Sequence, residues 1–467
     1  MMKAYNKVTP EIVRQLSLIV GGNNVLTDPD ALSPYSQDET EDLRFAPEVV
    51  LKPSSAQQIA AVMRFAEREM IPVTPRAGGT GLSGGALPVF GGIVLSLEKL
   101  NRILNIDQQN LQAVVEPGVI TQKFQEEVEA LSLYYPPDPA SRGSSQLGGN
   151  VAECAGGPHA VKYGVTKDYI LGLEAVCPNG EIIRTGGATM KDVSGYNLTQ
   201  LLIGSEGTLA IITKIILRLI PLPRHRKVML VAFPTLEAAT RAVAGIFQQG
   251  VTPSACEFIE RAAVEATERH TGKVFPNSES AAQLFIEVDG SHEPAIDEDI
   301  QTIAAAVERH GATNILLAQD RKRIQEVWDL RQSISESVKS ISPYKEEDTV
   351  VPRSRLPELV EGVKAICRAY GITSICYGHA GDGNVHVNVL KADLDDETWN
   401  NSVDSAVRKI FELTVSLGGT ISGEHGIGYS QKGYLPIAIG PAELAIMRAI
   451  KRVFDPNDIL NPGKIFP

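Results

Sequence analysis

The chain has 467 residues, of which 43% are hydrophobic and 21% charged, an ordinary globular composition that excludes a largely disordered protein. At ~150 residues per domain the length predicts about three structural units, and at least two, because single cores stop growing beyond about 250–300 residues. Lysine and arginine number 44 against 56 aspartates and glutamates, and the net charge of −12 excludes broad electrostatic binding to nucleic acid.

The sequence predicts neither a membrane span nor an export signal. No apolar run reaches the ~18 uncharged residues that span a bilayer; the best candidate, 201–220, contains Glu206, Lys214 and Arg218. The polar start, Met1 to Pro10, predicts no signal peptide. The five cysteines are odd in number and form no CxxC pair, which favours a reducing compartment without disulfides. We therefore expect a cytoplasmic protein, with peripheral attachment to the inner membrane through a partner as an option.

The sequence of the first half predicts a short helical N-terminal segment, called the entry, followed by a glycine-rich domain. Residues 1–44 form the entry, with a helix over Thr9–Val20, and the domain covers 45–223. Its short apolar runs, bounded by turn residues, predict strands at Ile93–Leu97, Ala113–Val115, Ile170–Val176 and Ala210–Leu219. Apolar residues at helical spacing predict helices at Ala56–Arg68 and Thr121–Ser132. Pro221-Leu222-Pro223 cannot continue a strand ladder and marks the boundary.

The second half, 224–467, alternates strands and helices more regularly. The predicted strands are Val228–Phe233, Cys256–Ile259, Leu284–Val288, Ile372–Tyr377 and Val385–Leu390. The predicted helices are Leu236–Gln248, Ala262–His270, Pro294–His310, Arg321–Ser340, Leu356–Tyr370, Thr398–Leu417 and Pro441–Phe454. The sequence therefore predicts two α+β domains, the first rich in glycine and the second rich in helix.

A glycine loop, PRAGGTGLSGG over Pro75–Gly85, is the most concentrated signal of the first domain. Consecutive glycines let backbone N–H groups converge on phosphate oxygens. Gly79, Gly81 and Gly84 match a dinucleotide fingerprint, but that fingerprint requires a helix directly afterwards. Glycines and Pro88 follow instead, so a Rossmann turn is excluded. A phosphate-binding nest and a hairpin loop without a ligand both stay open for this loop alone.

Further glycine loops favour a ligand. PPDPAS, GGNVA, AGG, KYG, SGYNL and GSEGTL follow along the same domain. Turns alone would explain one or two such loops, whereas the set predicts a long groove in which backbone approaches an extended ligand.

In this order, together with VVEPGV, the motifs resemble the FAD domain of the vanillyl-alcohol oxidase/p-cresol methylhydroxylase (PCMH) superfamily. The continuation resembles its D-2-hydroxy-acid dehydrogenase branch, whose members act on glycolate, D-lactate or D-2-hydroxyglutarate. The resemblance covers about residues 40–467. It implies a two-domain PCMH-type α+β fold, with a C-terminal substrate (cap) domain whose last ten or so residues return to the FAD domain. Three departures from the family pattern are Gln146-Leu147, Cys154 and Ala210.

The same resemblance implies FAD as cofactor, with its pyrophosphate on the Gly78–Gly85 loop. Thr80 stands where covalent members carry the flavin-linking histidine, so the flavin is expected to be noncovalent. The implied FAD-binding residues are Pro75, Arg76, Ala77, Gly78, Gly79, Thr80, Gly81, Leu82, Ser83, Gly84, Pro117, Gly118, Asp138, Ser141, Gly148, Gly149, Asn150, Ala152, Gly156, Gly157, Tyr163, Gly164, Glu206, Gly207 and Ile211.

A metal site is predicted in the second domain, in GHAGDGNVHVN and SGEHGIG. His386 and Asn388 are two apart on a predicted strand and project from one face, and His379 precedes the turn between the strands. Glu424 adds a carboxylate. Two imidazoles and a carboxylate with an open position are the ligands of a catalytic zinc site, although a histidine is more often structural. The resemblance implies His379, His386 and Glu424 as ligands of a divalent ion, zinc, with manganese or iron as alternatives.

Two neighbours of the histidines have simpler interpretations. Cys376 forms a Cys-x-x-His pair with His379, but its apolar run favours core packing. Asp382 is a candidate ligand, whereas an aspartate before Gly383 more often forms the turn.

The helix around Arg331 carries the counter-charge for an acidic substrate. Arg331 and Ser335 are four apart and share a helix face, and a guanidinium pairs bidentately with carboxylates; an exposed helix arginine is the alternative. The resemblance places Arg331 and Ser335 on the substrate carboxylate, with Lys345 as a third contact. Asn388 is expected to orient the substrate.

The resemblance, together with these residues, implies oxidation of a D-2-hydroxy acid to the 2-oxo acid by hydride transfer to flavin. His425 is the predicted base for the hydroxyl proton. No iron–sulfur or haem motif is present, so electrons are expected to pass to a separate acceptor: a quinone-linked, cytochrome or electron-transfer flavoprotein partner, an iron–sulfur subunit, or oxygen. A homodimer is an option. Two alternatives stay open, a metallohydrolase using the His/His/Glu site and a nonenzymatic flavin-binding subunit of an electron-transfer complex.

Overall fold

A computed structural model describes residues 5–467; Met1–Ala4 of the predicted polar start lie outside the described residues. The helices are α1 Pro10–Val20, α2 Pro29–Leu32, α3 Ala56–Glu69, α4 Thr121–Glu129, α5 Leu147–Glu153, α6 Ala160–Tyr163, α7 Leu198–Leu202, α8 Leu236–Phe247, α9 Arg261–Thr271, α10 Glu293–Arg309, α11 Arg321–Gln332, α12 Ile334–Lys339, α13 Leu356–Ala369, α14 Asp396–Ser416, α15 Leu435–Ala438 and α16 Pro441–Phe454. Among residues 5–467, none of the helices combines the length and apolar character needed to cross a bilayer.

The strands are β1 Val25–Leu26, β2 Val49–Leu51, β3 Val73–Arg76, β4 Ile93–Ser96, β5 Ile103–Asp107, β6 Gln112–Val115, β7 Leu133–Tyr134, β8 Ile170–Val176, β9 Ile182–Gly186, β10 Ile211–Arg218, β11 Ile220–Pro221, β12 His225–Phe233, β13 Ala255–Glu260, β14 Ala282–Gly290, β15 Asn314–Ala318, β16 Tyr344–Val350, β17 Thr373–Gly378 and β18 Asn384–Leu390. The mixture of helices and sheets confirms the predicted α+β class.

The chain divides into two compact units. Unit 1 comprises the chain up to Gly156, Val165–Leu222 and Glu424–Pro467, and unit 2 comprises Gly157–Gly164 and Pro223–Gly423. The returning C-terminal segment thus begins at Glu424, well before the last ten or so residues that were expected to return.

The described residues of unit 1 form three sheets. The first has the order β1-β2-β4-β3, with β4 parallel to β2 and β3, and α1 and α3 contribute to the core beside it. The second is antiparallel, β5-β6-β10-β8-β9, and the third pairs β11 with β7. The C-terminal segment is anchored within this unit, because Leu460 forms a parallel bridge with Val73 and the buried Lys451 Nζ donates to Thr208 O at 2.9 Å and Leu460 O at 2.8 Å.

Unit 2 is built on one seven-stranded antiparallel sheet with the order β15-β12-β14-β13-β17-β18-β16. Side chains on a strand alternate between the two faces. One face, here called face A, carries Phe285, Ile259, Ile375 and Leu390 and packs against α9, α11 and α12. The other face, face B, carries the side chains that alternate with those of face A along each strand. Cys256, Phe258 and Val387 are among them.

The long helix predicted over Arg321–Ser340 is wrong in one respect, because it divides at Ser333 into α11 and α12. The Ser333 hydroxyl donates to Asp329 O at 2.5 Å, and the Ser337 hydroxyl donates to Ser333 O at 2.6 Å. Serine hydroxyls that bond to the preceding turn compete with the helix ladder and bend it. The serine-rich stretch therefore interrupts a pattern that is otherwise helical.

Candidate functional site

The glycine loop of unit 1 follows β3 and is neither helix nor strand between Ala77 and Gly92. Gly79 and Gly84 have φ values of 69° and 72°, a left-handed conformation that suits residues without a Cβ. The loop therefore has the irregular backbone expected of a nest, and the exclusion of a Rossmann turn holds in the structure.

The other predicted FAD loops of unit 1 pack against this loop and against one another. A Cβ on Gly78 would lie 2.8 Å from Ser144 O, and a Cβ on Gly148 would lie 2.4 Å from the Cβ of Pro117. The Gly148 N–H donates to Pro117 O at 2.8 Å, and Ser141 O accepts the N–H of Ser144 at 2.9 Å. These contacts leave no room for side chains, so the glycines permit the close approach of three separate loops.

The GSEGTL loop joins the same group of loops. Ala152 O accepts the Glu206 N–H at 2.8 Å, and a Cβ on Gly207 would lie 2.8 Å from Pro75 Cγ. Most of the predicted FAD residues are thus assembled in unit 1. Gly157, Tyr163 and Gly164 belong instead to unit 2, where the Tyr163 hydroxyl donates to Asp289 at 2.8 Å.

Several buried polar atoms around the glycine loop fit a polar ligand. Arg76 Nη1, Ser83 Oγ, Gln146 Oε1 and Glu153 Oε2 are shielded from solvent and make no hydrogen bond in the structure. Buried polar groups are normally paired, so donors and acceptors left over beside a glycine-lined backbone match the phosphates and hydroxyls of a dinucleotide. The residues present therefore fit FAD.

Two buried carboxyls of unit 1 flank the loop that carries Glu424 and His425. Burial raises the pKa of Glu153 well above its ordinary value, and Glu206 and Asp38 raise it further. Burial also raises the pKa of Glu206, against the lowering effect of the Ile427 and Gly428 N–H groups, which donate to it at 2.8 and 2.6 Å. Glu206 thus fixes the backbone just after His425. The pairing was not apparent from the sequence, because Glu153, at the end of α5, is far from Glu206 along the chain.

In unit 2, a polar cluster lies on face A among the apolar side chains. The register pairs His386 with Tyr377 and Asp348, and Asn388 with Glu346. We define the polar cluster as Glu257, Arg331, Glu346, Asp348, Tyr377, His379, His386 and Asn388. Every member is less than one-tenth exposed.

Glu257 organises one side of the polar cluster. Its carboxylate accepts from His379 Nδ1 at 2.8 Å and from Arg331 Nε at 3.0 Å. Burial would raise the pKa of Glu257, but the neighbouring His379 and Arg331 outweigh burial and hold the pKa below its ordinary value. One ionised carboxylate therefore orients both an imidazole and a guanidinium. Sequence reasoning missed Glu257, although a glutamate inside the buried strand Cys256–Ile259 is a signal for a paired charge.

His386 and Asn388 form the other side of the cluster. The rings of His379 and His386 are edge to face, with centroids 5.2 Å apart, and His386 Nδ1 lies 3.7 Å from Glu346 and 3.9 Å from Asp348. Asn388 is fully buried, and neither atom of its amide makes a hydrogen bond of ordinary geometry.

Tyr377 connects this side of the cluster to Arg331 and to Ser335. Burial raises the pKa of Tyr377, Glu346 raises it further, and the nearby Ser335 and Asn388 oppose the rise. The Arg331 guanidinium lies over the Tyr377 ring, 5.7 Å from its centroid. Ser335 therefore reaches the region of Arg331 even though the helix breaks between them.

The imidazole pair fits a divalent metal ion. In metal sites the ligating histidine usually donates its second N–H to a carboxylate, as His379 Nδ1 does to Glu257. Nε2, on the opposite side of the ring, is then the His379 atom that would ligate an ion, and imidazoles suit zinc, iron and copper. Glu424, the predicted third ligand, belongs to unit 1 together with His425. Within unit 1 a Cβ on Gly156 would lie 2.7 Å from Glu424 Oε2.

Lys345 does not join the polar cluster. It pairs with Val389 in register and is exposed on face B, whereas Glu346 points to face A. The prediction of Lys345 as a substrate contact therefore disagrees with the strand register, because a shift of one residue moves a side chain to the other face.

The simpler interpretations of the two neighbouring residues agree with the structure. Cys376 is fully buried on face B, and burial raises the pKa of its thiol to about 12. The Asp382 carboxylate accepts the Asn384 N–H at 3.3 Å, as a turn-forming aspartate does.

Two family models match the chain: "FAD binding domain" at residues 47–186 and "FAD linked oxidases, C-terminal domain" at 222–465. Among its relatives, the glycolate oxidase subunit GlcD of Bacillus subtilis is 37% identical over 98% of this chain and 97% of its own. The D-lactate dehydrogenase of Anaerostipes hadrus is 36% identical (99% and 98%), and the D-2-hydroxyglutarate dehydrogenase of Stutzerimonas stutzeri is 32% identical (98% and 99%).

A solved structure of p-cresol methylhydroxylase with bound substrate has the same fold. Its TM-score is 0.79 at 20% sequence identity, over 97% of this chain and 96% of that one. The likeness supports the PCMH-type fold.

Proposed function

The chain belongs to the FAD-linked oxidases, and from this premise we propose that it oxidises a D-2-hydroxy acid to the 2-oxo acid with the help of a divalent metal ion held by His379 and His386. The relatives support FAD-linked oxidation of D-2-hydroxy acids, which leaves the metallohydrolase and the nonenzymatic subunit without support. The observation that carries the metal assignment is the imidazole pair whose His379 Nδ1 is held by Glu257 at 2.8 Å.

The residues of this chain have the following roles in the proposal. Arg331 binds the substrate carboxylate, since two of its donors are fixed by Glu257 and a guanidinium has five. The unpartnered amide of Asn388 orients the substrate. His379 and His386 hold the ion, and the resemblance adds Glu424 as third ligand.

The reaction removes a proton from the 2-hydroxyl and a hydride from C2. His425 takes the proton, because an imidazole titrates near working pH. FAD, when bound, supplies the two-electron acceptor and the ion supplies Lewis acidity toward the hydroxyl oxygen. The five cysteines are free and scattered, without the ligand spacing of an iron–sulfur cluster. We therefore assign re-oxidation of the flavin to a separate acceptor.

The test is anaerobic reduction of the reconstituted, yellow holoprotein by matched D- and L-2-hydroxy acids. We expect bleaching of the flavin by D-acids and none by L-acids. His425→Ala is expected to retain flavin and metal and to lose reduction by substrate. Bleaching of that variant at the normal rate would refute the base assignment, and a holoprotein that no 2-hydroxy acid reduces would refute the proposed function.

A further inference from the structure

The strand register determines which charge the chain presents beside Asn388. On β16, Glu346 pairs with Asn388 and Lys345 pairs with Val389. Glu346 is 9% exposed on face A, and Lys345 is exposed on face B. The side chain next to the proposed substrate-orienting amide is therefore a carboxylate and not an ammonium group.

Three side chains lie close to the Glu346 carboxylate in this position. The carboxylate lies 3.7 Å from His386 Nδ1 and 3.5 Å from the Tyr377 hydroxyl. Lys339 Nζ forms an ion pair with it at 3.0 Å. Two of these three neighbours lie on face A, so the carboxylate lies beside the polar cluster.

The cations of unit 2 at this cluster are already matched by carboxylates. Arg331 is paired with Glu257, and Lys339 is paired with Glu346. Asp348 is a further anion, which accepts from Asn384 Nδ2 at 2.6 Å and from the Gly423 N–H at 2.7 Å. With Lys339 counted beside the cluster, the carboxylates of Glu257, Glu346 and Asp348 and the cations of Arg331 and Lys339 leave one negative charge within the described residues of unit 2.

A divalent ion would bring that sum to one positive charge, and the proposed third ligand Glu424 would return it to zero, so no surplus cation is left for a second substrate carboxylate. A second carboxylate on the substrate would be buried near Glu346 and Asp348 without a counter-ion. Two like charges a few ångströms apart repel by several kcal/mol at protein-like dielectric constants, and a buried charge without a partner adds a desolvation penalty.

We infer that Glu346 is a specificity-determining residue, which restricts the enzyme to short 2-hydroxy acids with one carboxylate and rejects 2-hydroxydicarboxylates. This inference rests on the proposed function, because it names the substrate class of the same site. Like-charge juxtaposition is a common way to reject a competing ligand. The expected discrimination in kcat/KM is on the order of 100-fold.

The test compares D-lactate with D-2-hydroxyglutarate in anaerobic flavin reduction, and pyruvate with 2-oxoglutarate in calorimetric binding to the oxidised holoprotein. The wild-type protein is expected to prefer D-lactate by about 100-fold in kcat/KM and to bind pyruvate but not 2-oxoglutarate. Glu346→Gln is expected to narrow both preferences at least roughly tenfold. Glu336→Gln, which removes the same charge from an 83% exposed side chain, serves as the matched control and is expected to leave both ratios unchanged.

A wild-type protein that uses D-2-hydroxyglutarate as well as D-lactate would overturn the inference while leaving the proposed function intact. This comparison needs no variant, so it decides the question even if Glu346→Gln fails to fold. A folded Glu346→Gln protein with unchanged ratios would also overturn it. If no 2-hydroxy acid reduces the flavin, the proposed function fails instead, and the product-binding ratio still tests the charge argument.

Discussion

Replacing Glu287 by glutamine should destabilise unit 2 substantially. Glu287 is fully buried on face A and accepts from Trp328 Nε1 at 2.8 Å, His159 Nε2 at 2.9 Å and Ser254 Oγ at 3.0 Å. Burial would raise its pKa, but Arg226, His159 and Trp328 outweigh burial and lower the pKa to about 2 from 4.5. At 1.36 kcal/mol per pKa unit, this shift corresponds to about 3 kcal/mol of stability at neutral pH.

The pH dependence has a definite sign. Because the folded-state pKa is depressed, the stabilisation is fully present above the unfolded pKa of about 4.5 and is lost as the pH falls toward 2. The decrease in the free energy of unfolding caused by Glu287→Gln should therefore be about 3 kcal/mol at pH 7, and at pH 3 this decrease should be smaller by about 2 kcal/mol.

The assay is urea unfolding followed by tryptophan fluorescence at a series of pH values. Trp328 and Trp399 both lie in unit 2, so the signal reports on this unit. Glu237→Gln, an exposed carboxylate paired with Arg241, is the control and should change stability by less than about 0.5 kcal/mol. A Glu287→Gln protein as stable as the wild type at pH 7, or a difference that does not shrink in acid, would refute the reasoning.

Two further predictions concern unit 1. Gly148→Ala should release FAD on gel filtration, because the new Cβ would lie 2.4 Å from the Cβ of Pro117. Gly187→Ala is the control and should retain FAD, because no atom lies within 4 Å of its new Cβ. Equal flavin content in the two variants would contradict the packing argument. Lys451→Met should lower the free energy of unfolding by about 3–5 kcal/mol, since it leaves Asp455 buried without its cation. Hydrogen exchange over α16 should rise in this variant and should stay unchanged in Arg452→Met, which replaces an exposed side chain. Unchanged exchange in Lys451→Met would contradict this prediction.

Sequence patterns located the elements in which apolar residues dominate. The strand predicted at Ile170–Val176 and the helix at Pro441–Phe454 agree with the structure residue for residue. The strand Tyr344–Val350, in contrast, was not predicted from the sequence, because four charged residues stand in its middle. Glu346 and Asp348 are tolerated in that buried strand because His386, Lys339 and Asn384 face them across space. Such compensation between distant residues leaves no trace in local periodicity.

The candidate site was only partly predictable for the same reason. His379, His386, Asn388 and Arg331 were singled out in the sequence by their imidazole, amide and guanidinium groups, and the structure places them in one polar cluster, while their roles stay predictions. Glu257, which orients two of them, was hidden in an apolar strand, and the role expected of Lys345 fails on a one-residue register. Register depends on strand pairing across the sheet, which a single sequence does not specify.

The most direct measurement is the rate of anaerobic flavin reduction by D-lactate before and after a chelator removes divalent ions, with the ion content determined on the same samples. The account predicts that reduction falls with the ion content, that FAD stays bound, and that zinc, manganese or iron restores the rate. Full-speed reduction in a protein stripped of its ions would contradict the assignment of His379 and His386 to a metal that takes part in the reaction.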